Sequence, residues 1–180
     1  MGRETALGTM FFVEDLYKLR NLGHELGCHT FSHCHSWETP SNVFYQSVLK
    51  NSQFLKDILQ NAEFKSLSYP ISNPRPLTKR KCGKYFTCCR GSGQLSNYGK
   101  VDLSNLNAFF LEKTKGDTNL IYRIIDENCR KPGWLIFATH DVKSNPSEFG
   151  CTPKFFEAVV RYASNAGAAI LPVAQAYSII

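Results

Sequence analysis

An uninterrupted apolar run, Trp134-Leu135-Ile136-Phe137-Ala138-Thr139, most limits what this chain can fold into. The run follows Gly133 and shows no alternation of apolar and polar residues. A strand with one solvated face alternates, whereas a strand covered on both faces reads as a continuous apolar run, as in parallel sheets. The run therefore predicts a strand buried on both faces in a parallel sheet.

Predicted helices and strands alternate along the rest of the chain. The helical segments are residues 14–22, 40–60, 118–128 and 153–166, with a further helix that begins at 78–82. The strand segments are residues 64–69, 85–89 and 168–173, and residues 106–110 are ambiguous. This order predicts an α/β fold with a parallel sheet or barrel. No repeat or linker divides the chain, so we expect one domain over residues 1–180.

Two of these helices have well-defined apolar faces. In the helix at 40–60 the predicted buried residues are Val43, Phe44, Val48, Leu55 and Leu59. In the helix at 118–128 they are Leu120, Ile121, Ile124 and Ile125.

The formal net charge of +6 raises the question of an anionic partner. The densest basic run is Arg75, Lys79, Arg80, Lys81 and Lys84, and no aromatic platform or nucleic-acid motif accompanies it. This pattern favours a solvated helix face near a polar substrate over nucleic-acid binding. No apolar stretch is long enough to span a bilayer, and residues 1–6 lack the apolar run of a signal peptide. We therefore expect a soluble protein, in a compartment that the sequence does not identify.

Seven cysteines occur, at positions 28, 34, 82, 88, 89, 129 and 151. An odd number at irregular spacing does not resemble a disulfide scaffold and favours a reducing compartment. Cys82, Cys88 and Cys89 suggest a zinc ribbon, but no second Cys-x-x-Cys pair is present and two adjacent cysteines fit a zinc knuckle poorly. A structural zinc site or a regulatory role of the cysteines is thus one alternative for the function.

His29 and His33 are separated by three residues. On a helical turn, side chains at i and i+4 lie on one face and can share a metal ion. Thr30 and Ser32, which lie between them, can support such a site by holding the backbone or the ring N–H groups. The same spacing also fits histidines that face solvent or are satisfied in the core. The spacing alone therefore does not predict that His29 and His33 share a metal ion, and further support is needed.

His140 and Asp141 directly follow the apolar run at 134–139. In parallel α/β folds, reactive residues gather at the carboxyl ends of the strands. We expect both His140-Asp141 and the His29 segment to lie at such ends. The alternative is structural, with His140 hydrogen-bonded to its neighbours and Asp141 capping the turn.

Taken together, these segments resemble the polysaccharide deacetylase family, the nodulation-type metal-dependent carbohydrate esterases. Residues 23–33, GHELGCHTFSH, resemble the family's GHEIGxHTxSH segment. Ser68-Tyr69-Pro70 resembles the strand end of its third motif. Residues 134–142 resemble its closing strand with the catalytic histidine, and residues 171–176 its last strand and the turn after it. The resemblance extends from about Glu14 to Tyr177 in the family's order.

The resemblance implies a distorted (β/α) barrel, often with seven strands, that hydrolyses N- or O-acetyl groups of a polysaccharide or oligosaccharide. His29 and His33 would be ligands of a divalent metal, usually zinc, which acts as a Lewis acid and activates water. His140 would be the general acid that protonates the leaving group, with Asp141 supporting it. The backbone N–H of Ile71 would help to hold the oxyanion.

The family's Thr-Phe-Asp-Asp motif, which supplies the general base and a third metal ligand, has no counterpart here. The acidic residues before His29 are Glu4, Glu14, Asp15 and Glu25, and Glu14 and Asp15 open a predicted helix. We therefore expect the chain to be N-terminally truncated, lacking the first strand or strands of the barrel. Loss of a general base typically costs about a hundredfold to ten-thousandfold in rate, so we expect impaired activity.

The third motif also departs from the family. The usual arginine falls at Ser68 and the usual glycine at Ser72. Arg75 lies nearby in a loop fixed by prolines and is a candidate replacement in the substrate loop. The main alternative to an enzyme is a non-catalytic carbohydrate-binding relic of the same fold.

Overall fold

The computed structural model describes residues 4–5, 8–9, 11–71, 73–131 and 133–179, with the backbone alone for 4–5 and 8–9. Helices and strands are mixed along the chain, as predicted for an α/β fold. In order, the elements are β1 (Glu4–Thr5), β2 (Gly8–Thr9), α1 (Val13–Asn21), α2 (Ser41–Ile58), β3 (Ser66–Ser68), α3 (Pro76–Tyr85), β4 (Cys88–Arg90), β5 (Phe109–Phe110), a 3-10 helix (Leu111–Thr114), α4 (Thr118–Arg130), β6 (Phe137–Ala138), α5 (Pro153–Asn165) and α6 (Val173–Tyr177).

The chain divides into two compact units. The first consists of residues 1–91, 102–106 and 172–180, and the second of residues 92–101 and 107–171. The expectation of one domain over residues 1–180 stays a prediction.

Parallel pairing organises the first unit. Strands β3 and β4 pair in parallel, with Ser68 opposite Arg90. Isolated parallel bridges extend this direction on both sides, from Cys28 to Leu67 and from Arg90 to Leu106. The Ser68 N–H donates to the Cys28 carbonyl at 2.9 Å. Residues that directly follow these parallel segments therefore lie along one edge, as in other parallel sheets.

Helix α2 supplies one side of the first unit's core. Phe44, Val48 and Leu55 are buried within it and Leu59 just after it, as the helical period predicts. The prediction for Val43 is wrong: its side chain is 52% exposed, because its position lies to one side of the buried stripe. The buried members of this core are Cys28, Phe44, Val48, Leu67, Tyr69, Cys82, Phe86 and Cys89.

The second unit is built around two capped helices. The Asp117 side chain accepts hydrogen bonds at the start of α4, and the Thr152 hydroxyl accepts the Phe155 N–H at the start of α5. Of the residues predicted to face inward on α4, Ile121 and Ile125 are buried, while Leu120 and Ile124 are half-buried. The buried core consists of Phe109, Leu111, Ile121, Ile125, Cys151, Phe155, Val159 and Ala163.

The apolar run at 134–139 forms less strand than predicted. Only Phe137–Ala138 is a strand, parallel to β5, while Trp134 makes an antiparallel bridge to Asn97. Ile136 is buried and its neighbours in the run are half-buried, so the prediction of a strand covered on both faces is wrong. The change of pairing direction within six residues prevents the side chains from lining two continuous sheet faces.

The predicted strand at 168–173 is also wrong. Residues 168–172 form no ladder with any described residue, and Val173 begins α6. Helix α5 ends at Asn165. Gly167, two residues later, has a φ of +79°, and the Ala168 N–H donates to the Ala163 carbonyl at 3.1 Å. Apolar composition gives a strand only where a neighbouring strand satisfies the backbone.

The described strands pair two by two, so the barrel itself stays a prediction. Among the described residues, no helix combines the length and the apolar character needed to cross a bilayer.

Candidate functional site

His29 directly follows Cys28 at the carboxyl edge of the parallel segments. Its Nδ1 lies 2.8 Å from the Ser68 carbonyl oxygen and 2.7 Å from the Ser68 hydroxyl oxygen. Because a carbonyl oxygen can only accept, this contact requires a proton on Nδ1, so in the neutral ring the lone pair lies on Nε2. Metal-binding histidines commonly donate one ring N–H in this way, which fixes the ring's tautomer and orientation.

The ring of His33 lies beside that of His29. The ring centroids are 4.9 Å apart and the ring planes are inclined by 64°. Two imidazoles that share a zinc ion through bonds of about 2.0–2.1 Å have ring centres roughly 5 Å apart. The separation therefore suits a shared metal ion.

The backbone that carries the two histidines is not a helical turn, so that prediction is wrong. Thr30 has a φ of 62° and His33 a φ of 47°, both in the left-handed region that non-glycine residues rarely adopt. Such backbone persists only where surrounding contacts hold it. The proximity of the rings arises from this turn and not from the i, i+4 geometry of a helix.

Ser47 of α2 holds the turn between the histidines. Its hydroxyl accepts the N–H of Phe31 at 3.1 Å and the N–H of Ser32 at 3.0 Å, and its carbonyl accepts the Phe31 N–H at 3.1 Å. Thr30 is buried and the side chain of Ser32 is exposed. The supporting roles of Thr30 and Ser32 toward the ligands stay predictions.

The loop after β3 is fastened to the segment that follows His33. The Ser36 hydroxyl donates to the Pro70 carbonyl at 2.7 Å. Ile71, the next residue, has a φ of 68° and is 65% exposed. Within the described part of the chain, the Ile71 N–H has no hydrogen-bond acceptor. A backbone donor in an exposed turn is the kind of group that can receive an oxyanion.

Arg75 lies at the start of α3 and reaches back across the same loop. Its Nε donates to the Trp37 carbonyl and its terminal nitrogen donates to the Glu38 carbonyl at 3.1 Å. These contacts hold the turn after His33 in place. A role of Arg75 toward substrate stays a prediction.

The described acidic residues that precede His29 are engaged elsewhere or exposed. Asp15 accepts the Phe12 N–H at 2.8 Å at the start of α1, where Glu14 is exposed. Glu25 accepts the Ser66 hydroxyl at 2.6 Å and the Ala174 N–H at 2.8 Å. Among the residues that the structure describes, no group of three or more His, Cys, Asp or Glu side chains is arranged to hold a metal ion.

His140 lies in the second unit, after β6. Its backbone N–H donates to the Phe149 carbonyl at 3.1 Å and its Nδ1 lies 3.3 Å from the same oxygen. The Phe149 ring is also adjacent, with 5.3 Å between the ring centroids. These contacts orient the imidazole, which is exposed. Its role as a proton donor stays a prediction.

Asp141 organises the loop that follows His140. Its carboxylate accepts the Ser147 hydroxyl at 2.5 Å and the Ser147 N–H at 2.9 Å, and it pairs with Lys143 at 3.3 Å. These hydrogen bonds, with the nearby ammonium group, lower the pKa of Asp141 to about 2. The Asp141 carboxylate can lie this close to the backbone of Gly150 because glycine has no Cβ, which would be 2.4 Å from a carboxylate oxygen. Asp141 therefore supports the loop whose carbonyl holds His140.

The cysteines of the possible zinc ribbon are core residues. Cys82, Cys88 and Cys89 are buried, and no metal-binding group includes them among the described side chains. Burial raises the pKa of Cys82 and Cys89 to about 12 and that of Cys88 to about 11. Thiols of this kind pack as small apolar side chains.

Sequence reasoning missed the contacts that hold the site together. Ser68 contacts His29 from 39 positions away, and Ser47 contacts Ser32 from 15 positions away. No local pattern marks such contacts. The parallel pairing of residue 28 with β3 is the signal that could have identified Ser68, because it places the residue after Cys28 beside the end of β3.

Comparison with known proteins supports the resemblance of the part of the chain that contains His29 and His33. A model of the polysaccharide deacetylase family matches residues 9–84, which include His29, His33, Ile71 and Arg75. No curated protein matches the chain. The family acts on acetylated polysaccharides and is generally metal-dependent. His140 and Asp141 lie beyond the matched residues. Over residues 9–84, the chain is therefore similar to the polysaccharide deacetylase family.

Proposed function

We propose that this chain is a metal-dependent hydrolase that removes N- or O-acetyl groups from a glycan. The observation that carries the proposal is the adjacent pair of imidazoles, His29 and His33, with His29 oriented by Ser68. The family match over residues 9–84 supports a hydrolase that acts on amide or ester bonds.

The donor set fits zinc. Imidazole nitrogen suits this ion, and the contact of His29 Nδ1 with the Ser68 carbonyl leaves the ring lone pair on Nε2. His29 and His33 are the residues that would hold the metal. When bound, zinc supplies Lewis-acid activation of the acetyl carbonyl and of water. With only two protein ligands, we expect weaker binding than at a three-ligand site.

The remaining roles are assigned to groups of the chain itself. Among the described residues the Ile71 N–H has no acceptor. It would donate a hydrogen bond to the acetyl oxygen and stabilise the negative charge that develops there. His140, oriented by the Phe149 carbonyl, would donate a proton to the departing amine or alkoxide. Asp141 would act on His140 through the loop that it fastens.

We expect slow turnover. Among the described residues, no carboxylate lies with the two histidines in a group that could hold a metal ion. The carboxylate that would act as general base is therefore not found beside them, and loss of a general base lowers rates by about a hundredfold to ten-thousandfold. The same observation favours the second candidate, a carbohydrate-binding protein of this fold that has lost turnover.

Acetate release tests the proposal. The protein is incubated with N-acetylated chito-oligosaccharides and with an acetylated xylan, with added zinc or cobalt. We expect slow, metal-dependent release that falls to the level without protein in His29→Ala/His33→Ala and in His140→Ala. His24→Ala, which removes an exposed histidine near His29 in the sequence, is the matched control and should retain activity. Release no faster than without protein on every substrate, or unchanged release by His140→Ala, would overturn the enzymatic proposal.

A further inference from the structure

The turn that follows His33 is held rigidly at both ends. The N–H groups of Trp37 and Glu38 both donate to His35 Nδ1, at 3.3 and 3.2 Å. Their carbonyls accept hydrogen bonds from the Arg75 guanidinium. The Thr39 N–H donates to the His35 carbonyl at 3.0 Å. The backbone of the turn therefore has few alternatives, and it presents its side chains in fixed directions.

This rigid turn displays a large aromatic side chain to solvent. Trp37 is 53% exposed. Within the described part of the chain its indole N–H has no acceptor, and its ring neither stacks on another ring nor lies under a cation. Exposing so much apolar surface costs free energy, and tryptophan is enriched at interfaces, where its ring is covered and its N–H finds an acceptor.

The position of Trp37 in the sequence places it close to the two candidate metal ligands, His29 and His33. Three residues lie between it and His33, and the four residue steps that join them limit their Cα distance to roughly 14 Å. The hydrogen bond from the Ser36 hydroxyl to the Pro70 carbonyl joins the residue before Trp37 to the residue before Ile71. Two exposed apolar side chains, Trp37 and Ile71, thus flank one hydrogen bond at the edge of the site.

We propose that Trp37 stacks on the apolar face of a pyranose ring of the acetylated glycan, next to the sugar unit at the histidine pair. A pyranose presents C–H groups on its face and hydroxyl oxygens at its rim, which match the apolar ring and the N–H of an exposed indole. The inference rests on the proposed glycan substrate, and it assigns Trp37 to substrate binding and not to the chemical step.

Fluorescence isolates this residue, because the chain has two tryptophans, Trp37 and Trp134. In Trp134→Phe, Trp37 is the remaining tryptophan, and titration with N-acetylchitotetraose should change its emission saturably. The emission of Trp37→Phe should stay constant. Affinity electrophoresis of the unsubstituted chain in gels with acetylated glycan provides a readout that does not depend on Trp134→Phe folding. Trp37→Ala should bind about tenfold more weakly, whereas Phe12→Ala, which removes a similarly exposed aromatic ring, should bind normally.

The outcomes separate this inference from the proposed function. If acetate is released but Trp37 emission is constant and Trp37→Ala binds normally, the inference is wrong and the hydrolase proposal stands. If the stacking signals are found without acetate release, the inference stands for a carbohydrate-binding protein. If the chain binds no oligosaccharide, both are wrong. An emission change that follows protein concentration and not sugar would show that a second copy covers Trp37, and would also overturn the inference.

Discussion

His29 Nδ1 lies 2.8 Å from the carbonyl oxygen and 2.7 Å from the hydroxyl oxygen of Ser68, the last residue of β3. The parallel bridge between Cys28 and Leu67 creates this contact, because it brings the residues that follow each of them to the same edge. The orientation of one imidazole of the candidate site is thus a direct consequence of strand pairing.

Replacing Ser68 with alanine tests this relationship. The variant keeps the carbonyl contact and loses the hydroxyl contact, so we expect zinc affinity to fall about tenfold, the lower end of the effect of removing such a supporting group. Isothermal titration calorimetry measures the change. Ser66→Ala, on the same strand, is the matched control, since its hydroxyl donates to Glu25. Equal zinc affinities of Ser68→Ala and the unsubstituted chain would show that the hydroxyl does not support His29.

Ser47→Ala should destabilise the turn that carries the two histidines. It removes the hydroxyl that accepts the Phe31 and Ser32 N–H groups, and we expect the free energy of unfolding to fall by about 1–2 kcal/mol. Urea unfolding followed by circular dichroism measures this. Ser52→Ala is the matched control on the same helix, because among the described residues its hydroxyl bonds the Val48 carbonyl alone. It should change stability by less than about 0.5 kcal/mol. Similar losses in both variants would argue against a specific role of Ser47.

The loop after His140 should weaken in acid. The pKa of Asp141 is lowered from 3.8 to about 2, so its charge stabilises the folded loop fully above about pH 4 and progressively less as the pH falls toward 2. Asp141→Asn should therefore raise hydrogen exchange at the Ser147 N–H at pH 6, and the difference from the unsubstituted chain should disappear near pH 2. Glu148→Gln, an exposed carboxylate of the same loop, is the control. Equal exchange in Asp141→Asn and the unsubstituted chain at pH 6 would contradict this account.

The cysteines should differ sharply in reactivity. Cys129 is exposed and Cys34 half-buried, whereas Cys28, Cys82, Cys88, Cys89 and Cys151 are buried. With a pKa of about 12, the Cys82 thiol is deprotonated in roughly one molecule in ten thousand at pH 8, and thiolate is the reactive form. We expect Ellman's reagent to modify one or two thiols of the native protein and all seven in urea, with the fastest reaction lost in Cys129→Ser. Rapid native modification of four or more would show that the core is not as described.

Periodic patterns predicted the helices better than the strands. The stripe of Phe44, Val48 and Leu55 follows the helical period, and α2 ends within two residues of its predicted bounds. Strands depend on partners that lie far away in the sequence. The apolar residues 168–172 have no ladder partner among the described residues, so their composition alone did not predict their structure.

The candidate site was predictable only in part, because it too depends on residues that are far apart in the sequence. The spacing of His29 and His33 indicated two neighbouring rings, but the sequence gives no sign of the left-handed backbone at Thr30 and His33 that brings them together. That backbone depends on contacts with Ser47, which belongs to another element. Local patterns identify candidate ligands, whereas the residues that orient them are set by tertiary pairing.

Zinc titration of the unsubstituted chain and of His29→Ala/His33→Ala tests the central claim most directly, because it needs neither substrate nor turnover. We predict one zinc ion per chain, bound through the two imidazoles, with binding lost in the double variant and retained in His24→Ala. Zinc binding that persists in the double variant, and disappears instead when Cys82, Cys88 and Cys89 are replaced by alanine, would contradict the account.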